Sequence, residues 1–250
     1  MHHEISPIRP PLSLVIPAYN EAENIVPLME EIAQRLEGRC EYEIIVVDDG
    51  SDDDTLARLQ TMRAGGETRL RILRHPHNLG KSAALRNGVG AARGEWVATL
   101  DGDGQNDPAD IPRLCEVLAD CSGEHRLRLV CGHRVRREDP WLKRLSSRIA
   151  NAVRGRLLGD AVPDTGCGLK LLHRQAFLDL PFFDHMHRFL PALIERGGGT
   201  VVSVEVGHRP RLHGESKYGV HNRLWVGITD LFGVLWLKRR AKNLICEEVN

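Results

Sequence analysis

The chain reads as an α/β fold, a mainly parallel sheet covered by helices, on three observations. Apolar runs of strand length recur along it, helical patterns separate them, and the residues able to do chemistry stand just after the runs. The runs are Leu12–Pro17, Tyr42–Asp48, Arg69–Leu73, Trp96–Leu100, Leu127–Cys131 and Val201–Val206. A chain of 250 residues is long enough to bury a core as one large domain without disulfide staples.

The elements follow in order. After the first run, Asn20 and Glu23 have capping-box spacing, and Ile25, Leu28, Met29, Ile32 and Leu36 share one face, which predicts a helix from about Glu21 to Leu36. A second helix is expected to open at Ser51, with Asp54 three residues on and Leu56, Leu59 and Met62 facing inward. A third follows Gly80, with Ala84, Leu85 and Ala91 as small packing residues, and a fourth begins near Pro108. The apolar rhythm breaks at Gly132–Pro140, the expected seam. Beyond it come a basic amphipathic helix around Trp141–Leu158, a Gly-rich loop and a C-terminal amphipathic helix. The expected organisation is a tail over 1–11 without the basic and apolar regions of a signal peptide, a catalytic domain over 12–222, and an interfacial helix with a basic tail over 223–250.

Composition narrows the function classes. Thirty-four Lys and Arg balance thirty-four Asp and Glu, so no global field draws the chain to nucleic acid, and any anion site is local. Six cysteines make neither a C-x-x-C pair nor a zinc-ligand spacing, which favours buried thiols in a reducing, cytoplasmic compartment. Gly80-Lys81-Ser82 resembles the end of a phosphate-binding loop, but that motif needs glycine five residues before Gly80 and His75 stands there. No G-x-G-x-x-G follows the first strand. The pairs His75/His77 and His185/His187 lack an obvious carboxylate or cysteine partner and read as surface or hydrogen-bonded side chains.

In an open α/β sheet the ligand crevice lies beyond the carboxyl ends of the strands, and three of those ends are acidic here. They read Pro17-Ala18-Tyr19-Asn20-Glu21, Asp48-Asp49-Gly50-Ser51 and Asp101-Gly102-Asp103-Gly104-Gln105. Asp101 and Asp103, two apart after a strand, can turn both carboxylates to one hard cation, Mg²⁺ or Mn²⁺, whose other ligands come from diphosphate oxygens and water.

Six stretches in this order resemble the family 2 glycosyltransferases, and within them the polyprenyl-phosphate sugar transferases of the dolichol-phosphate mannose synthase type. They are V-I-P-A-Y-N-E-A-E-N-I from Val15, Y-E-I-I-V-V-D-D-G-S-D-D-D-T from Tyr42, N-L-G-K-S-A-A-L-R-N-G from Asn78, G-E-W-V-A-T-L-D-G-D-G-Q-N-D-P from Gly94, D-T-G-C-G-L-K from Asp164 and R-L-H-G-E-S-K-Y-G from Arg211. The resemblance implies a GT-A type, Rossmann-like fold. It implies a donor nucleoside pocket at Pro17, Tyr19, Glu21, Val47 and Asp49, and a D-x-D element, Asp101-Gly102-Asp103, holding metal and donor diphosphate with Gln105 beside it. Arg134, Arg211 and Lys217 match residues that contact donor and acceptor phosphates, and Arg137 is a further candidate for the acceptor phosphate. Gly102 and Gly104 depart from the more usual Ala and Leu and free the backbone there.

The resemblance thus implies an inverting, metal-dependent hexosyltransferase, mannosyl- or glucosyltransferase-like, that moves a sugar from a nucleotide-diphosphate sugar to a polyprenyl phosphate. Asp101, Asp103, Arg134 and Lys217 are its candidate catalytic groups. A phosphate monoester is largely dianionic at neutral pH, so as nucleophile it needs cations to position it rather than a strong base. Transfer to a sugar hydroxyl is the alternative and would need a base, for which Asp164 is the candidate. A non-catalytic nucleotide-sugar-binding protein is the other. His221-Asn222-Arg223-Leu224-Trp225 lacks the Q-x-x-R-W element of processive synthases. The apolar stretch from Leu224 to Leu237 is too short to span a bilayer, and Lys238, Arg239, Arg240 and Lys242 follow it. With Trp225 and Trp236 at its ends it predicts an in-plane anchor at the cytosolic face of the membrane. The other expectation is a helix packed on the core or on a membrane-embedded partner subunit.

Overall fold

The computed structural model describes residues 12–121, 123–134, 154–160, 162–210 and 220–241, without the side chains of 220–226. Its strands are β1 (Leu12–Ala18), β2 (Tyr42–Asp48), β3 (Leu70–Arg74), β4 (Trp96–Thr99), β5 (Leu127–Arg134), β6 (Lys170–His173) and β7 (Thr200–Val206), in one seven-stranded sheet of order β3-β2-β1-β4-β6-β5-β7. Strands β1 to β4 pair in parallel, as do β5 and β7, while β6 lies antiparallel between β4 and β5. The sheet is therefore mainly parallel, as the alternating pattern predicts. Strand β6 has no counterpart among the expected runs, because four residues behind a Gly-rich loop are too few to establish a period.

Helices α1 (Ala22–Leu36), α2 (Thr55–Ala64), α3 (Lys81–Ala91) and α4 (Ile111–Asp120) fill the connections. Strands buried on both faces read as continuous apolar runs, and Leu14 to Ile16 and Ile44 to Val47 are such runs with essentially no exposure. Two cores result. One joins Leu14 and Ile16 of β1 to Ile25 and Ile32 of α1, Leu59 of α2 and Leu114 of α4. The other joins Val15 and Val47 to Leu85 and Val89 of α3 and to Leu193 of the helix Leu190–Arg196.

The cap of the first helix and the start of the second differ from expectation. The first helix begins at Ala22 with Glu21 at its cap and no side-chain cap bond, because Asn20 is held at φ +54° and turned to the next loop. Its amide donates to Ser51 Oγ (2.9 Å), its Oδ1 accepts from the Asp52 amide (3.0 Å), and the Glu21 and Ala22 amides are taken by Thr55 Oγ1 and Asp53 Oδ2 (2.8 and 3.1 Å). Ser51 and Asp53 serve this stitching, so the second helix starts at Thr55 rather than Ser51.

The C-terminal helix runs Val220–Arg239, starting ahead of the expected boundary at 222. Val234 is fully buried, and Leu231, Leu235 and Leu237 pack beside it on the second core. Arg196 Nε donates to the carbonyl of Leu237 (2.9 Å), and Lys238 pairs with Glu195 (3.5 Å). Ile228, Phe232 and Trp236, four residues apart, stay exposed on the other side. Among the described residues no helix is long and apolar enough to cross a membrane. Of the expected basic helix over 141–158, residues 154–158 are helical and the rest lie outside the described residues.

Candidate active site

The direction of the strand order reverses at β1, whose neighbours β2 and β4 leave in opposite senses, and a crevice opens there at the carboxyl ends. The end of β4 supplies its most acidic wall. The Asp101 amide donates to Oδ1 of buried Asn106 (3.1 Å), and the Gln105 amide donates to Asp103 Oδ1 (3.1 Å), so the Asp101-to-Asn106 turn is closed by its own side chains.

Behind Asp101 stands the loop 164–169. A methyl group on Gly168 would lie 2.5 Å from the Asp101 carboxyl carbon and 2.7 Å from Asn106 Oδ1, so only glycine lets the loop approach this closely. Thr99 Oγ1 donates to the Gly168 carbonyl (2.7 Å), and the buried Lys170 ammonium donates to the carbonyls of Thr165 (3.2 Å) and Cys167. Arg154 braces the far side through Asp160 (3.0 Å) and the Val162 carbonyl (2.9 Å).

Lys81, the first residue of α3, places its ammonium against Asp101 Oδ1. Burial works to raise the Asp101 carboxyl, but Lys81, with Lys170 and Arg134 behind it, outweighs burial and holds it below the usual carboxylate range. Asp101 is thus an anion already matched to a cation. Together with Asp103 it offers the hard oxygen donors that Mg²⁺ or Mn²⁺ takes. Among the described residues no group of three or more His, Cys, Asp or Glu side chains is assembled, so most of a metal's ligands would come from the diphosphate and water.

The ends of β1 and β2 form the opposite wall. Pro17 and Tyr19 are half-buried there, and Glu21 is buried with Oε2 accepting from Asn24 Nδ2 (2.7 Å). Asp49 is buried and engaged: it accepts from the Leu79 and Gly80 amides (2.9 Å each) and lies 2.6 Å from His75 Nδ1, whose Nε2 meets Asn87. It therefore organises the loop 75–80. Gly50, at φ +73°, makes the same junction possible, since a side chain there would strike the His77 backbone at 2.5 Å. Val47 corrects the sequence expectation. Its side chain has no exposed surface and faces Gly88 of α3, so it belongs to the core and not to the crevice.

Arg134 ends β5 in a two-pronged pair with Asp164, Nε to Oδ2 at 2.6 Å and the terminal nitrogen to Oδ1 at 2.9 Å. Asp164 is 4% exposed at the side chain, and both its carboxylate oxygens are taken by this pair. The chain leaving β7 is fastened to the acidic turn by Arg209, whose amide donates to the Gln105 carbonyl (3.1 Å) and whose guanidinium binds Glu31 (2.8 Å twice) and Asp107 (2.5 Å). It leads toward Arg211 and Lys217, which with Arg137 lie outside the described residues. Lys81, Asn106, Gly168, Lys170 and His187 are additions to the sequence-derived site. The first four lie inside the stretches that carry the family resemblance, whereas His187 gave no signal beyond its H-x-H pair.

The model of glycosyl transferase family 2 matches residues 13–180. The dodecaprenyl-phosphate galacturonate synthase of Rhizobium johnstonii is 37% identical over 235 residues, 91% of this chain and 67% of that protein. The undecaprenyl-phosphate 4-deoxy-4-formamido-L-arabinose transferase of Sodalis glossinidius is 34% identical over 214 residues, 84% of this chain and 63% of that protein. The chain thus spans about two thirds of the length of these relatives. Among solved structures, glucosyl-3-phosphoglycerate synthase of Mycobacterium tuberculosis with UDP superposes at a TM-score of 0.66, with 22% identity over 94% of this chain and 82% of that one. The same enzyme with Mn²⁺, UDP-glucose and glycerol 3-phosphate gives 0.63. These likenesses establish the fold that the sequence resemblance implies.

Proposed function

The chain belongs to glycosyl transferase family 2, and from that premise we propose that it moves a sugar from a nucleoside-diphosphate sugar to a polyprenyl phosphate, inverting the anomeric carbon, at the cytosolic face of a membrane. One observation carries the reading: Asp101 and Asp103 stand at the switch-point end of β4 with the Lys81 ammonium against Asp101 and the Gly168 loop packed behind. Both relatives above are named for transfer involving a polyprenyl phosphate, which supports the acceptor class.

The donor's nucleoside lies along Pro17, Tyr19 and Glu21, with Asp49 holding the adjoining loop in shape. Its diphosphate meets Asp103, Gly102 and Asp101, and Arg211 and Lys217 are its further cationic contacts. A divalent ion, Mg²⁺ or Mn²⁺, held by Asp101 and Asp103 beside Gln105, supplies positive charge to the departing diphosphate. The acceptor phosphate, oriented by Arg134 and Arg137, attacks the anomeric carbon with an oxygen lone pair. The bond from that carbon to the distal phosphate oxygen breaks, and its electron pair leaves with the nucleoside diphosphate. No proton has to move, so the pairing of Asp164 with Arg134 is compatible with the step.

The membrane reading rests on the C-terminal helix. Ile228, Phe232 and Trp236 form one exposed stripe, Arg240 lies over the Trp236 ring (5.8 Å), and exposed Arg239 adjoins it. A core-packed helix with such an outer stripe can seat the enzyme where a lipid acceptor is found. A membrane-embedded partner subunit is the other surface that the stripe could meet.

The acceptor class is tested by offering UDP- and GDP-sugars with Mn²⁺ and either undecaprenyl phosphate or undecaprenol. Sugar is expected on the phosphorylated lipid alone. Equal glycosylation of the alcohol would overturn the phosphate-acceptor reading.

A further inference from the structure

The small cavity beside Asp101 is lined by Lys81, Asp101, Thr165, Lys170 and His187, with the Gly166–Gly168 backbone closing it. Most of its polar groups are already spoken for. Lys81 and Asp101 hold each other, Thr99 is given to the Gly168 carbonyl, Thr165 to Arg154, and Lys170 to two loop carbonyls. His187 differs. Its Nδ1 lies 2.8 Å from the hydroxyl of buried Ser82, and its Nε2 has no partner within the protein among the described residues.

The Ser82 hydroxyl also accepts, at 3.5 Å, the backbone amide of His187. Its own proton is therefore available to Nδ1. When the Ser82 hydroxyl donates to Nδ1, a neutral imidazole carries its own proton on Nε2, which is then a donor fixed in direction by Ser82. Burial, with the nearby charges of Lys81, Arg188 and Lys170, keeps the ring neutral at physiological pH, so it carries this hydrogen-bonding pattern without adding a further cation.

We infer that His187 is a specificity-determining residue: its Nε2 hydrogen-bonds an oxygen substituent of the transferred sugar, and Ser82 is its positioning residue. This rests on the proposed donor site. The anomeric carbon is two bonds from the distal phosphorus, so a diphosphate seated on Asp101 and Asp103 sets its sugar at the mouth of this cavity, a space the size of a water or two that admits one substituent and not the ring. A directed donor on the wall of that cavity rejects sugars lacking the matching oxygen, because its hydrogen bond to water is then lost without replacement.

Two substitutions separate the two ring nitrogens. In His187→Asn the amide falls near Nδ1 and can keep Ser82 but does not reach the cavity. In His187→Gln the amide reaches the Nε2 position. Calorimetry with Mn²⁺ compares free UDP and GDP with UDP-glucose, UDP-galacturonic acid and GDP-mannose on the full chain. For the sugar nucleotide that the wild type binds best, His187→Asn is expected to weaken binding about tenfold and His187→Gln much less, with the free diphosphate bound equally by all three proteins. His187→Asn retaining the full wild-type preference for sugar nucleotide over free diphosphate would overturn the inference. So would equal losses for both ligands, which mark a purely structural histidine. Binding of no nucleotide or sugar nucleotide by the wild type would instead contradict the donor site itself.

Discussion

At the scale of single residues, Gly168 is the glycine packed against the proposed metal-binding carboxylate. An added methyl group meets the Asp101 carboxylate and Asn106 together, and both are held by other bonds, so the carboxylate has to turn away. Gly168→Ala is expected to cut transfer by about a hundredfold or more, since a misplacement of about 1 Å at a reacting centre has that scale. The melting temperature should move far less, and a variant that melts early in proportion to its lost activity would argue against this reading. His187 gives a pH prediction. Its folded-state pKa lies well below 6.5, so below that pH the unfolded chain takes up a proton that the native ring refuses. The contribution is fully present above about pH 6.5 and erodes as pH falls toward the folded value. Melting curves of wild type and His187→Gln between pH 7.5 and 5 should therefore converge or cross on acidification, and a pH-independent difference would contradict it.

At the scale of elements, the C-terminal helix divides its labour by face. Val234→Ala opens a hole in a packed wall and is expected to cost about 2 kcal/mol of stability with little change in vesicle binding. Phe232→Ser with Trp236→Ser removes exposed surface and should leave melting nearly unchanged while reducing flotation with anionic phosphatidylglycerol vesicles several-fold. If the double variant floats like the wild type, the stripe is not the lipid-facing surface. Strands β1, β2 and β4 were legible because burial on both faces imposes unbroken apolar runs, and their acidic ends marked the crevice. Strand β6 was not, since its pairing is decided by β4 and β5, far away in sequence. The cap of α1 and the start of α2 differ from expectation for a related reason. Asn20, Ser51 and Asp53 look like local caps but are used between loops some thirty residues apart.

For the whole molecule, the sheet's reversal at β1 brings three acidic strand ends to one crevice, and the later part of the chain closes it. The order of the motifs was enough to name Asp101, Asp103 and Gln105. It could not reveal that Asp49 is consumed by the loop 75–80, that Val47 faces α3, or that Asp164 is spent on Arg134, because each depends on a partner chosen by folding. The central claim is that the β4 end binds a divalent ion together with the donor diphosphate. Its most direct test is a crystal grown with Mn²⁺ and a nucleoside diphosphate, read by anomalous scattering at the manganese edge. The account predicts one peak at the Asp101–Asp103 carboxylates beside the diphosphate, and its loss in Asp103→Asn. A nucleotide bound elsewhere, or a peak that persists unchanged in that variant, would contradict it.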